Sequence, residues 1–159
     1  MNRSRILLLL SICVIAIVAI AAAPASHVPK ANTRDALIAY VKDAAAIVQK
    51  SGPSCDTFAS PEWRSGDYYI FVLGPDDRLV CHPKADMIGK PQSDIVNSKG
   101  DKVGERIVKM AMADGKGWIE YFWARPGKTD EEPKSSYVMG VIGSDKKHYV
   151  VGAGAYDLK

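Results

Sequence analysis

The stretch "LVCHPKADMIGK", Leu79 to Lys90, sets a cysteine beside a histidine and a proline after both. Three kinds of chemistry use such residues: a thiol nucleophile with an imidazole base, a metal site, or a pocket that binds without reacting. Spacing narrows the choice. "RLVCH", residues 78–82, reads as a strand. Adjacent strand residues point to opposite faces. Cys81 and His82 then cannot touch, and a cysteine–histidine catalytic pair needs contact. A metal centre lacks its ligand intervals. His27, His82 and His148 are widely separated, and neither H-E-x-x-H nor C-x-x-C occurs. For His82 two readings stand. It is a pocket residue held by Pro83 as the chain leaves the sheet, or a strand-end histidine bonded to the following loop.

Whether Cys81 is a thiol at all depends on the compartment. Met1 to Arg5 carries Arg3 and Arg5, Ile6 to Ala23 is almost wholly apolar, and "AAAPAS" follows. A basic start, an apolar middle and small residues at the end make a secretory signal peptide, residues 1–25, cleaved after Ala25. The alternative is an uncleaved inner-membrane anchor formed by residues 6–23, at the low edge of a spanning length. The remainder is expected to be periplasmic or secreted. Cys13 falls in the leader, which leaves Cys55 and Cys81 of the three cysteines. In an oxidising compartment two cysteines of a small domain pair, and a paired Cys81 is no nucleophile. Two free buried thiols are the other possibility.

The 134 residues left when 25 of the 159 are removed form one domain with one real core. The formal charge of +3 falls to about +1 without Arg3 and Arg5. With no clustered basic face, nucleic acid is not expected as a partner. Residues 26–31 read as a linker. Asn32 is expected to cap a helix that buries Leu37, Tyr40, Val41, Ala44, Ile47 and Val48 and ends at Gly52-Pro53. "DYYIFVLG", residues 67–74, reads as a strand and pairs with "RLVCH" across a "PDD" turn. Residues 83–100 are a loop, and residues 101–114 a helix stopped by Gly115. "WIEYFWA" (118–124), "KSSYVMGVIG" (134–143) and "HYVVGAGAY" (148–156) are three further strands. The order predicts an α+β domain: a largely antiparallel sheet of about five strands, a long N-terminal helix on one face, and a loop-helix crossover on the other. Such a cup suits a small ligand.

These pieces together resemble the Cache family of extracytoplasmic sensor domains, in its single-Cache, PAS-like form. The resemblance runs from about Asp35 to Tyr156. Its carriers are "GDYYIFVLGPDDRLVCHP" (66–83), "IGK" (88–90), "GKGWIEYFWARPG" (115–127), "EPKSSYV" (132–138) and "VVGAGAY" (150–156). One departure stands out. The family's hairpin has an aspartate first and a glycine in the turn, whereas this chain has Gly74 and Asp77 there. The resemblance implies a single Cache domain over residues 32–157, here a stand-alone exported form.

It also implies a ligand site. His82 is expected in the ligand-binding wall. Lys134 is expected near the ligand, where an ammonium suits a carboxylate. The alternative for Lys134 is decoration of a sheet edge. Tyr69, Tyr121, Trp123 and Tyr137 are candidate aromatic walls, although strand alternation keeps them from all facing one cavity. "VVGAGAY" is no dinucleotide fingerprint, because no helix follows it. Gly152 and Gly154 share a face and should let another segment approach. The expected function is a sensor module for a small organic acid or amino acid, acting through a partner such as a membrane sensor protein. The alternative is a periplasmic interaction module with no ligand of its own. No nucleophile or acid–base constellation points to an enzyme, and no cofactor is implied.

Overall fold

The computed structural model describes residues 25–159, so the leader read from residues 1–25 lies outside the described residues except for Ala25. Among the described residues, no helix is long and apolar enough to cross a membrane.

Helix α1 (Arg34–Ser51) follows from its alanine-rich sequence and its single apolar stripe. Leu37, Tyr40, Val41, Ala44, Ala45 and Val48 are buried along it. The cap is Thr33, whose hydroxyl accepts from the Ala36 N–H, and not Asn32 as expected. Asn32 lies one residue too early and is used differently. Its amide donates to the carbonyls of Tyr156 (2.7 Å) and Asp157 (3.0 Å), and its oxygen accepts from the Tyr68 hydroxyl (2.9 Å). The stretch read as a linker also packs on the domain, with the His27 ring stacked on Trp63 at 4.1 Å.

A short helix α2 (Cys55–Ala59) precedes the sheet. The strands are β1 (Ile70–Leu73), β2 (Leu79–Cys81), β3 (Lys116–Ala124), β4 (Glu131–Ile142) and β5 (His148–Tyr156), in the order β2-β1-β5-β4-β3 with every neighbour antiparallel. β1 is shorter than the "DYYIFVLG" pattern suggests, because Tyr68 pairs back to Ser65 in a tight turn. In the β1–β2 turn Asp77 adopts φ +54°, the left-handed conformation a glycine would supply at that place. Its carboxylate and carbonyl accept from the side chain and backbone N–H of Gln92, which tie the turn to the crossover.

The sheet is apolar on both faces and is covered on both. Ile70, Val72, Cys81, Tyr137, Val151 and Ala153 face α1. Tyr69, Phe71, Leu73, Ile119, Tyr121 and Val138 face the crossover, which brings Met87, Ile95 and helix α3 (Val103–Asp114) onto them. Cys55 and Cys81 form a disulfide on the α1 side, with Cα atoms 5.2 Å apart.

Candidate ligand-binding site

Strand register decides which side chains meet on the crossover side. In the β3–β4 ladder Tyr121 lies opposite Lys134 and Trp123 opposite Glu132. In the β4–β5 ladder Lys134 lies opposite Tyr156 and Ser136 opposite Gly154. Facing residues of an antiparallel pair share a face. Lys134 is thus flanked by two tyrosines, and Tyr69, the residue just before β1, reaches it from beyond β5. Gly154 makes the crowding possible. A Cβ at that position would collide with Lys134 Cε and Ser136 Oγ, so the missing side chain is the slot in which the lysine lies. We expect Gly154→Ala to push Lys134 out of line and to weaken any ligand held there about tenfold, with a stability cost of about 1–3 kcal/mol from overpacking. Melting curves and binding isotherms of the variant check both.

Lys134 is 1% exposed, and its ammonium makes one hydrogen bond among the described residues, to the Tyr69 hydroxyl at 2.8 Å. It also lies 4.2 Å from the Tyr69 ring centre and 5.4 Å from that of Tyr156. Among the described residues no carboxylate is bonded to it. Burial pulls its pKa from 10.5 down to about 7, against a smaller opposing pull from Asp67. The surrounding phenols respond oppositely. Burial, reinforced by its phenol neighbours, pushes Tyr69 well above 10; burial pushes Tyr121 up to about 12. The Tyr121 hydroxyl is bonded to Ser136 Oγ at 2.8 Å.

His82 stands one residue past the end of β2, on the opposite side from Cys81. Its ring meets that of Tyr69 edge-on at 5.3 Å. Nδ1 accepts from the Lys84 N–H at 3.1 Å, which leaves the proton of the neutral ring on Nε2. Burial and the nearby Lys134 charge lower its pKa to about 4, so the ring is neutral at pH 7.

A cavity of about 20 Å³ opens beside these groups, walled by Tyr69, Phe71, His82, Met87, Tyr121 and Trp123 among others. A second, of about 30 Å³, lies between His82 and the disulfide. Tyr69 and His82 line both and form the partition between them. Neither wall carries an Asp or Glu. Lys134 is on neither wall. Bonded to the Tyr69 hydroxyl, it borders instead an open cleft of about 610 Å³ whose lining includes Arg34, Asp101, Glu120 and Asp157.

Five of the six residues proposed from sequence thus gather on one side: Tyr69, His82, Tyr121, Trp123 and Lys134. Tyr137 does not join them. It neighbours Ser136 on β4, so alternation turns it toward α1, where its ring meets Trp118 at 5.3 Å. Ser136 and Tyr156 join the five without being expected at the site, and Gly154 allows the close approach expected of it, with Lys134 as the group that approaches. Counting back from the "SDKK" turn pairs Lys134 with Tyr156, so the register could have found Tyr156.

A family model described as "dCache_2: Cache domain" matches residues 36–159. The chain belongs to the Cache domain family. The described residues hold one five-stranded sheet of it. Part of this Cache domain is 34% identical, over 91 residues, to the sensor histidine kinase MctS of Rhizobium johnstonii. That match takes in 57% of this chain and 19% of the kinase, so the chain spans about a fifth of that relative. Among solved structures, a periplasmic sensor domain of a chemotaxis protein superposes with a TM-score of 0.55 at 26% identity, covering 77% of this chain and 89% of that one. A Cache chemosensory domain solved to explain carboxylic acid recognition gives 0.50 at 20% identity, covering 77% and 72%. The second likeness concerns the fold alone. This Cache domain is a sensor module by family, related to domains of kinases and chemoreceptors.

Proposed function

We propose that this Cache domain is an extracytoplasmic sensor for a short monocarboxylate, gripped by Lys134 with the help of Tyr69, His82 and Tyr121. The observation that carries the reading is the buried ammonium of Lys134 without a carboxylate partner. Burying an unpaired charge is expensive, so a fold that retains one has a use for it. The neighbouring groups have protons to give. Tyr69 accepts from Lys134 and keeps its own proton free, and His82 offers Nε2–H. A carboxylate would satisfy these donors, with charge-assisted bonds to the lysine. An amino acid would also bring an ammonium, and no acidic side chain lines the cavity to receive it. That contrast favours a simple acid over an amino acid. The cavity holds no more than about one water, so entry requires Met87 and the crossover to give way. Short ligands are favoured for the same reason. The sensed state would then pass to signal transduction through a partner, in keeping with the kinase and chemotaxis relatives.

Calorimetry of the purified protein against acetate, propionate, pyruvate, alanine and methylamine tests the reading. The acids should bind and the amines should not; saturable binding of methylamine with none of any acid would overturn it. The pH profile is a second test. A carboxylate needs Lys134 charged, and Lys134 loses its proton near pH 7 in the free protein. Tyr69 and Tyr121 stay neutral at that pH, and His82 charges only near 4. Affinity should be flat between about pH 5.5 and 6.5, then fall roughly tenfold per unit above about 7, with uptake of one proton per ligand. Titrations in buffers of different ionisation enthalpy measure that proton. A flat affinity from pH 6 to 9 would rule out Lys134 as the grip.

A further inference from the structure

Two buried side-chain oxygens among the described residues have no hydrogen-bond partner: Ser60 Oγ and Tyr156 Oη. A buried hydroxyl left unpaired costs about 1–3 kcal/mol, so each asks for an explanation. Ser60 lies in the turn after α2, away from the cage. Tyr156 lies on the sheet face of Lys134, its partner in the β4–β5 ladder, outside the wall of the small cavity. Its side chain is 3% exposed, and its strand position is opposite Lys134, whose ammonium is 5.4 Å from the Tyr156 ring centre. The charges of Tyr121, Asp67, Arg125 and Glu132 are felt at the Tyr156 hydroxyl, and that of Tyr156 at Tyr69. A buried O–H without a partner, on the face of a buried ammonium, is open to an acceptor that comes from outside.

The same residue is bonded to both ends of the domain. Its backbone carbonyl accepts from Asn32, which immediately precedes the cap of α1. Asn32 in turn accepts from the Lys159 N–H through its own carbonyl (3.1 Å). The guanidinium of Arg125 lies 4.3 Å from the centre of the Tyr156 ring. Arg125 binds Asp67, Glu132 (2.9 Å) and Asp157 (2.9 Å), and Asp157 is the first residue beyond β5, with φ +52°. A shift of the Tyr156 side chain therefore acts on the entry to α1 and on the exit from the sheet together.

We propose that Tyr156 is a ligand contact in its own right and the residue through which occupancy of the cage reaches both chain ends. The proposal rests on the carboxylate reading above. Its hydroxyl donates to the bound carboxylate beside Lys134. Its ring then settles toward the ligand, and Asn32 and Arg125 follow.

Tyr156→Phe tests this, because it removes one oxygen and keeps the ring, the strand and the Arg125 contact. Calorimetry with propionate should show affinity reduced at least tenfold. The side-chain amide resonances of Asn32, followed by NMR, should move on propionate binding to the wild type and stay in place in saturated Tyr156→Phe. Asn32→Ala cuts the link to the Tyr156 and Asp157 carbonyls, and the bond from the Tyr68 hydroxyl with it, and touches no residue of the cavity wall. It should hold propionate within twofold of wild type, while the Lys159 amide no longer responds. If the wild type binds none of the acids, the carboxylate reading fails first. If the wild type binds and Tyr156→Phe binds equally well, Tyr156 is not a contact and the inference alone falls. If the Asn32 resonances still move in saturated Tyr156→Phe, the transmission falls.

Discussion

Lys134→Met should make the protein more stable and unable to sense. The melting temperature should rise by roughly 8 °C at pH 6, while affinity for short carboxylates falls at least about a hundredfold. Both effects come from one feature. The pKa of Lys134 falls from 10.5 to about 7 because the folded state resists its charge. Each unit of such a shift is about 1.4 kcal/mol, so the charged lysine costs the free fold on the order of 5 kcal/mol. Methionine fills a similar volume without a charge. The variant also strands the Tyr69 hydroxyl that Lys134 now bonds, which returns about 1–3 kcal/mol of that gain. A net gain of about 2 kcal/mol, what remains after the largest loss in that range, gives the temperature shift stated.

The sign of the pH dependence separates this account from a packing effect. Below pH 7 Lys134 is charged both folded and unfolded, and the cost to the fold is complete. Between about 7 and 10.5 the folded lysine has lost its proton and the unfolded one has kept it. Stability of the wild type then rises with pH by about 1.4 kcal/mol per unit from this group. The advantage of Lys134→Met should therefore be greatest below pH 7 and close as pH approaches 10. A constant advantage across that range would mean that methionine simply packs better. Retained carboxylate binding by the variant would remove Lys134 from the site. Loss of function joined to gain of stability is the pattern expected where a fold holds an unfavourable group for use.

Much of this architecture can be read from local pattern. "HYVVGAGAY", after the polar "SDKK" turn, reads as a strand over 148–156, and β5 has those bounds. The division of Tyr69, Tyr121, Trp123 and Lys134 from Tyr137 follows from counting in twos. Contacts between segments far apart in sequence resist such reading. Tyr69 reaches Lys134 because β1 inserts beside β5, a consequence of the order β2-β1-β5-β4-β3 that no single strand announces. The Arg125 cluster draws on residues 58 and 32 positions away, Asp67 and Asp157, and nothing in "ARPG" predicts either. Asn32 shows the same limit locally. Its type suits a helix cap, but a better-placed threonine follows it, and distant carbonyls claim its amide. The size of the cavity was hidden too, since it depends on how deeply Met87 and Ile95 settle.

Removing the Cys55–Cys81 bridge should cost about 3.5 kcal/mol, and lower the melting temperature by roughly 12 °C. The bridge closes a loop of sequence separation 26, and the loop-entropy relation gives that figure for such a length. The segment it restrains has little regular secondary structure. Between α1 and β1 the chain carries one helix of five residues, α2, and otherwise turns. Phe58 and Trp63 anchor it in the α1 core, and the Tyr40 hydroxyl bonds the Trp63 carbonyl. The bridge adds the one covalent tie from α2 to β2. That tie ends one residue before His82, on the strand end that aims His82 at Tyr69. Loosening it should therefore disturb ligand binding as well as stability, by about threefold to tenfold in affinity. Cys55→Ala/Cys81→Ala and reductant should produce the same melting temperature in place of the wild-type one, and reductant should not change the double variant further. An unchanged melting temperature in reductant, with both thiols shown free by alkylation, would mean that α2 is held by packing alone. Equal propionate affinity with and without the bridge would place the support of His82 elsewhere: in Pro83 and in the Lys84 N–H that its ring accepts from.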